Sequence, residues 1–441
     1  MSNKKFDFDK SEKSIYYPNY DDINFDEILN KYEFLEKDKR NVVYQDPRQL
    51  VLRNLISKNT IYDNILLYWN TGVGKCHSFD TPILMFDGTI KKIQNIKKGE
   101  LVMGDDSKKR KVLSLARGKD LMYDIIPIKG EKYTVNSEHI LCLKFSDKPN
   151  MINNKYNSVT WFDIKNVTKC KKNFKTKEDA EEFLKCKQDE YVEHKNIIEI
   201  SVKEYLKLSD IIKSHLKGYR VAIDFPNNNV EIDPYMIGFW LGDRTSRESE
   251  ITTQDSTIVK YFKTNLAQYK CSLQLQSQLQ SQLQSQLQYQ NNSSKYRYRY
   301  KINGDGSGKE NSNKFLNTLK NLDLINNKHI PLIYKCNSRE MRLKLLAGLI
   351  DSDGHLHKNN NMYEFTQKIE HEQLIDDIIY LCRSLGFACY KNKKHTSYTY
   401  KGEKKYGETW RINISGDGIE DIPVMCPRKK STPRKQIKDV L

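Results

Sequence analysis

Apolar residues along this chain change their spacing twice, and each change marks a new kind of structure. After a polar start, Phe25, Ile28, Leu29, Tyr32 and Leu35 fall at helical spacing, and Gln49 to Ser57 sets Leu50, Leu52 and Ile56 near one helix face. Ile65 to Trp69 is a short apolar run that reads as a buried strand. From Cys76 to Phe145 the pattern becomes short strands broken by turns: Pro82 to Phe86, Leu101 to Met103, Lys111 to Leu115, Met122 to Ile128, Glu131 to Val135 and Ile140 to Phe145, with turns at Asp87-Gly88 and Lys98-Gly99. That is an all-β unit. The next stretch is mixed and Lys-rich, with a helix over Glu178 to Lys187 and β-like pieces at Ile197 to Val202 and Tyr219 to Asp224. Helical spacing returns after Asp233-Pro234, at Met236, Ile237, Phe239, Trp240 and Leu241, and again from Arg339 to Leu349 through Met341, Leu345, Leu346 and Leu349. A Gln-Leu-Gln-Ser repeat over Leu273 to Gln290 reads as a disordered insertion rather than a surface helix. The expected fold class is multidomain α/β plus all-β, divided at 1–75, 76–150, 151–231, 232–418 (with the 273–290 insert) and 419–441.

The strand at Ile65 to Trp69 feeds Thr71-Gly72-Val73-Gly74-Lys75, which reads as a phosphate-binding loop whose Gly72, Gly74 and Lys75 would cradle a nucleotide. The loop breaks at its last position. Cys76 stands where Ser or Thr should supply a hydroxyl to Mg²⁺, and a turn-rich β pattern follows where a helix should begin. Gly72, Gly74 and Lys75 are therefore a vestigial site, and productive ATP binding is not expected. Cys76 reads instead as the first residue of another unit.

Composition narrows the partners. The chain has 441 residues, with 74 Lys and Arg against 57 Asp and Glu, for a formal net charge of +17. Such an excess favours a polyanion, nucleic acid above all, over an acidic small substrate. Nine Cys without CxxC pairs or metal-site spacing give neither a zinc site nor a secreted disulfide framework, which implies a reducing, intracellular location. No window reaches the roughly 20 apolar residues of a membrane span, so no membrane partner and a soluble protein are expected.

Two helices carry matching chemistry at their ends. Leu346-Ala347-Gly348-Leu349-Ile350-Asp351-Ser352-Asp353-Gly354 and Met236-Ile237-Gly238-Phe239-Trp240-Leu241-Gly242-Asp243 both place a small residue mid-helix and an acid at the end. Small residues let two helix backbones come close, so Asp243 and Asp353 can converge as a hard-oxygen site for Mg²⁺, suited to attack on phosphodiesters. A Ca²⁺ loop over Asp351 to Gly354 would need a downstream Glu that the spacing does not supply. The segment Leu346 to Gly354 resembles the LAGLIDADG motif of homing endonucleases at all but one position, and Met236 to Arg244 resembles a weaker second copy. The resemblance implies a pseudo-twofold αββαββ pair, with saddles in the major groove of double-stranded DNA, cutting both strands as a monomer with Mg²⁺ at Asp243 and Asp353. Asn327-Lys328-His329-Ile330-Pro331 resembles the block whose Lys assists catalysis, which implies that role for Lys328. The second such Lys is expected at Lys404 or Lys405. Arg244 replaces the Gly that ends the first motif, a departure that bears on activity rather than fold.

The residues after the broken loop carry a second resemblance. Cys76-His77-Ser78-Phe79-Asp80-Thr81-Pro82-Ile83-Leu84, with Ile96 to Val102, is similar to the first block of inteins, the self-splicing Hint fold; Tyr133 to Leu141 is similar to the second block. This implies that Cys76 is the splicing nucleophile, that His139 bonds the scissile amide, and that Asn136 stands where many inteins have Thr. Residues 151–231 become a candidate DNA-recognition region. Gln49 to Lys75 resembles superfamily II helicases of large DNA viruses, which implies a virus-encoded protein acting in the host cytoplasm or virion factory. The terminal His-Asn and downstream nucleophile of an intein are absent before Leu441. The expectation is an endonuclease that cannot complete splicing in cis. The alternatives are an inactive DNA-binding relic and the N-terminal part of a split intein completed by a separate polypeptide.

Overall fold

The structure, a computed structural model, describes residues 76–153, 157–194, 197–243, 247–280, 296–304, 313–400 and 403–433. The helices and strand expected before Cys76, the loop with Gly72, Gly74 and Lys75, and Arg244 lie outside the described residues.

The β-rich unit expected over 76–150 continues to residue 217, built from small antiparallel pieces, so no boundary falls at 150/151. Pro82–Leu84 pairs with Ile90–Lys92, Leu101–Met103 with Lys109–Lys111, and Met122–Ile125 with Tyr133–Asn136. Ile140–Phe145 runs between Ile197–Ser201 and Leu216–Lys217. Alternate residues of these strands, Val135, Leu141, Phe145, Ile198 and Ile200, close a common core. A meander of Asn150–Asn153, Asn157–Asp163 and Thr168–Phe174 is crossed by the helix Lys177–His194, and its Phe162 stacks on Phe145 at 3.7 Å between ring centroids. The expected strand at Lys111 to Leu115 falls instead at Lys109–Lys111, because only those residues meet a partner strand. Tyr219 to Asp224 forms no strand. Its backbone is held from outside any sheet, Ile223 N–H by the Ser384 carbonyl at 2.8 Å and Asp224 N–H by Ser107 Oγ at 2.8 Å.

The larger unit is built on two helices, Pro234–Gly242 and Arg339–Asp353. The first starts at an Asp233 cap, whose Oδ1 accepts the Met236 N–H, with Pro at its first position; the second starts at a Ser338 cap. All nine residues of Pro234–Gly242 are buried. After the second helix come strands Gly354–His357 and Met362–Lys368, the helix Glu372–Ser384, and the long hairpin Ala388–Tyr400 with Glu403–Ser415, which together make the αββαββ half as expected. The first half is leaner among the described residues: Glu250–Thr253, the helix Ser256–Leu266, and the pair Cys271–Gln280 with Tyr296–Gly304 in a three-stranded sheet.

Two expectations are corrected here. The start of the Gln-Leu repeat is a strand: Leu273 pairs with Ile302 and Leu275 with Tyr300, while the rest of the repeat, beyond Gln280, lies outside the described residues. Cys271, Leu273 and Leu275 alternate with polar residues, and that two-residue period, supplied with a partner strand, overrides the four-residue one. The boundary at 418/419 also fails, since Ile419, Ile422 and Val424 are buried in the same core as both motif helices.

The central packing rests on glycine. A Cβ on Gly348 would lie 2.1 Å from the Tyr235 carbonyl oxygen, and one on Gly238 would lie 2.1 Å from the Leu345 carbonyl oxygen. The obstacle in each case is backbone, which no rotamer change relieves. Gly348→Ala is expected to lower the free energy of unfolding by about 3 kcal/mol or more, read by urea denaturation; an unchanged midpoint would contradict the packing.

Candidate active site

The helix contact brings the two acids together. The residues just before them touch: a Cβ on Gly242 would lie 1.8 Å from Ser352 Oγ. Asp243, 8% exposed, caps the first motif helix, and its Oδ2 accepts the Thr252 N–H from the adjoining strand. Asp353 ends the second, and its Oδ2 accepts from Gln367 Nε2 at 3.0 Å. A cleft of about 470 Å³ opens beside Asp353, walled by His355, Lys358, Arg428 and Lys429. Asp353 thus lies inside a cationic rim, suited to a phosphate held by a hard cation.

Each helix end also holds a buried lysine. Lys328 Nζ donates to the carbonyls of Leu241, at 3.0 Å, and Asp243. Lys429 Nζ donates to the carbonyls of Ile350, at 2.7 Å, and Asp351, at 2.8 Å. A helix C-terminus presents unpaired carbonyls and the negative end of its dipole, so an ammonium is stabilised there. Burial nevertheless pushes Lys328 down to about 8, against the pull of Asp243 and Asp353. Lys429 is lowered by the same burial, with Asp351 opposing it.

Lys429 is the residue that the sequence reading missed. Lys404 and Lys405 begin the strand Glu403–Ser415 at the far end of its hairpin, opposite Thr399 and Tyr398, and their side chains lie outside the described residues. The usable signal was order rather than spacing: both Lys328 and Lys429 follow the last strand of their half, beyond a further short helix. The two lysine segments are anchored differently. Asp377 accepts the Ile330 N–H at 2.8 Å and pairs with Lys335 at 2.5 Å. Asp351, 4% exposed, accepts from Tyr235 Oη at 2.8 Å and from the N–H groups of Met425 and Cys426 at 2.6 and 3.3 Å. Burial raises the Asp351 carboxyl pKa, and those donors hold it back.

The second site lies in the β-rich unit. Cys76 N–H donates to Asn136 Oδ1 at 3.1 Å, and Asn136 N–H donates to the Cys76 carbonyl at 3.1 Å. His139 meets His77 edge to face, with ring centroids 4.4 Å apart, and burial lowers the His77 pKa. The structure therefore brings Cys76, Asn136 and His139 into one cluster and places Asn136 directly on the Cys76 amide.

Comparison with known families agrees with this division. The family described as Hom_end-associated Hint matches residues 76–217, and the family described as Homing endonuclease matches residues 329–438. The chain thus carries a Hint region followed by a homing-endonuclease region. The homing-endonuclease match runs past residue 418, in keeping with the packing of Ile419, Ile422 and Val424. Among curated proteins, the chain is similar to the replicative DNA helicase DnaB of Mycobacterium intracellulare, 25% identical over 173 residues, covering 39% of this chain and 22% of that protein. It is also similar to the catalytic subunit of the V-type proton ATPase of Candida tropicalis, 21% identical over 431 residues, covering 80% of this chain and 38% of that protein. The chain thus spans well under half the length of either relative. Among solved structures, I-DmoI in complex with DNA and Mn shows 13% identity and a TM-score of 0.23, covering 42% of this chain and 88% of that one. I-DmoI in complex with DNA and Ca shows 12% identity and a TM-score of 0.24, covering 43% of this chain and 85% of that one.

The anchoring of Lys429 in this homing endonuclease can be measured without any substrate. Asp351→Asn keeps the size but loses the charge that gathers three donors, at a cost of about 1–3 kcal/mol. Amide exchange at Met425 and Cys426 should accelerate in the variant, and exchange rates equal to those of the parent would show that Asp351 does not hold the segment.

Proposed function

We propose that the chain is a site-specific DNA endonuclease carried within an intein, cutting both strands of duplex DNA with Mg²⁺. The observation that carries this reading is the convergence of Asp243 and Asp353 at touching helix ends, each end holding a buried lysine. Mg²⁺ is usually held by one or two carboxylates, with waters and substrate phosphates completing its shell. The two carboxylates fit that pattern. When bound, the metal would supply Lewis-acid stabilisation of the scissile phosphate and an activated water.

The chain's own residues do the rest. The Thr252 N–H and the Gln367 amide orient the two carboxylates. Lys328 and Lys429 hold positive charge beside them, where negative charge builds up on a phosphate under attack. One acid and one lysine per half suit one cut per strand, and two halves in one chain suit a monomer on an asymmetric site. The net charge of +17 and strand positions such as Arg299, Lys301, Lys393 and Arg411 favour phosphate contacts. Lys169, Lys171 and Lys172 on the strand Thr168–Phe174 support 151–231 as an additional DNA-recognition region. The Cys76–Asn136–His139 cluster supports intein chemistry at the Lys75–Cys76 bond, with the element lodged in a host P-loop that no longer binds nucleotide productively. Among the described residues no helix is long and apolar enough to cross a membrane.

The test is cleavage of a plasmid carrying the uninterrupted P-loop coding sequence. Linearisation in Mg²⁺, its loss on chelation, and its loss in Asp353→Asn are expected; equal cutting by Asp353→Asn would overturn the reading. In the same assay Lys429→Met should slow cleavage about 100-fold, with Lys404→Met and Lys405→Met within about twofold of the parent. The reverse ranking would move the second lysine back to the hairpin.

A further inference from the structure

One acid touches the splicing cluster from outside both of its sequence blocks. Asn136 is 1% exposed and uses both ends of its amide: Oδ1 accepts the Cys76 N–H at 3.1 Å, and Nδ2 donates to Asp120 Oδ2 at 2.9 Å. Asp120 lies in the irregular stretch before the strand Met122–Ile125, and its other oxygen accepts the Leu121 N–H at 2.7 Å.

An Asn side chain can offer either its oxygen or its NH₂ to a given neighbour, and a half-turn of the amide exchanges them. A carboxylate only accepts. Asp120 therefore commits the NH₂ of Asn136, and the oxygen is left to face the Cys76 N–H. We propose that Asp120 is a positioning residue of the splicing site, setting the Asn136 amide so that Oδ1 holds the N–H of the Lys75–Cys76 peptide. The proposal rests on the reading of Cys76 as a splicing nucleophile. In the step it serves, the Cys76 sulfur bonds the Lys75 carbonyl carbon and the C–N bond breaks. The departing nitrogen keeps its N–H and takes up the proton that the thiol gives up, leaving a thioester and a free amine. With the N–H pinned to one side, the nitrogen's developing lone pair is directed to the other, where a proton must arrive.

Three variants of the full chain separate this role from a merely structural one. Asp120→Asn retains an acceptor oxygen, Asp120→Ala removes it, and Asp120→Lys offers only donors and so draws the Asn136 oxygen away from Cys76. The first readout is hydrogen exchange at the Cys76 amide, and the second is dithiothreitol-induced release of residues 1–75. Losing one hydrogen bond from the Cys76 amide should speed its exchange about tenfold in Asp120→Lys, less in Asp120→Ala, and by no more than about twofold in Asp120→Asn. Fragment release should slow in the same order. Unchanged exchange in a folded Asp120→Lys or Asp120→Ala chain overturns the proposal. If exchange responds as stated but the parent chain releases no fragment, the positioning role stands and the splicing reading falls.

Discussion

The whole endonuclease hangs on the contact between the backbones of Pro234–Gly242 and Arg339–Asp353. Gly238 and Gly348 leave no room for a β-carbon on either side, so the two helices meet at main-chain distance. Helices separated by ordinary side chains stand about 8–10 Å apart. Removing those side chains brings the helix ends that carry Asp243 and Asp353 into contact through Gly242 and Ser352. The same contact aligns two carbonyl-rich helix ends, each neutralised by a lysine that arrives from later in the chain. Charge that would be costly to bury alone is thereby balanced within one small volume.

The Hint domain is fastened to the endonuclease by few but specific contacts. Gly88, with φ of +86°, forms the Asp87-Gly88 turn, and its carbonyl accepts from Tyr380 Oη at 2.8 Å while Cys336 packs on its bare α-carbon. Arg383 grips Glu131 with both terminal nitrogens, at 3.1 and 3.2 Å. Leu84 and Met103 from the Hint strands share an apolar cluster with Ile223, Phe225 and Cys336. The stretch Tyr219 to Asp224 lies at this seam, where Ile223 is taken up by domain docking and its N–H is bonded to the Ser384 carbonyl rather than to a neighbouring strand. Arg342, wholly buried, ties the same seam to the second motif helix by donating to the Ile223 carbonyl at 2.6 Å and to Ser384 Oγ at 2.7 Å.

Much of this was legible in the sequence where one residue type has one purpose. Glycines within apolar helices, acids at helix ends, and a Cys followed at a distance by Asn-x-x-His announced both sites. What sequence could not show was pairing. Leu273 and Leu275 read as a repeat until Ile302 and Tyr300 were seen beside them. Lys429 lay hidden in a basic run, since nothing local distinguishes the lysine whose ammonium reaches Ile350 and Asp351 from its neighbours. Asp120 was invisible for the same reason, an exposed acid whose only distinction is the amide it touches.

The most direct test of the central claim is where a divalent ion settles. Crystals of the chain with its cognate duplex, grown in Mn²⁺ and measured at the manganese edge, should show anomalous density against the carboxylates of Asp243 and Asp353, between the two motif-helix ends. Density elsewhere, for example at His357 and Glu364 on the neighbouring strands, with none at the two aspartates, would contradict the account.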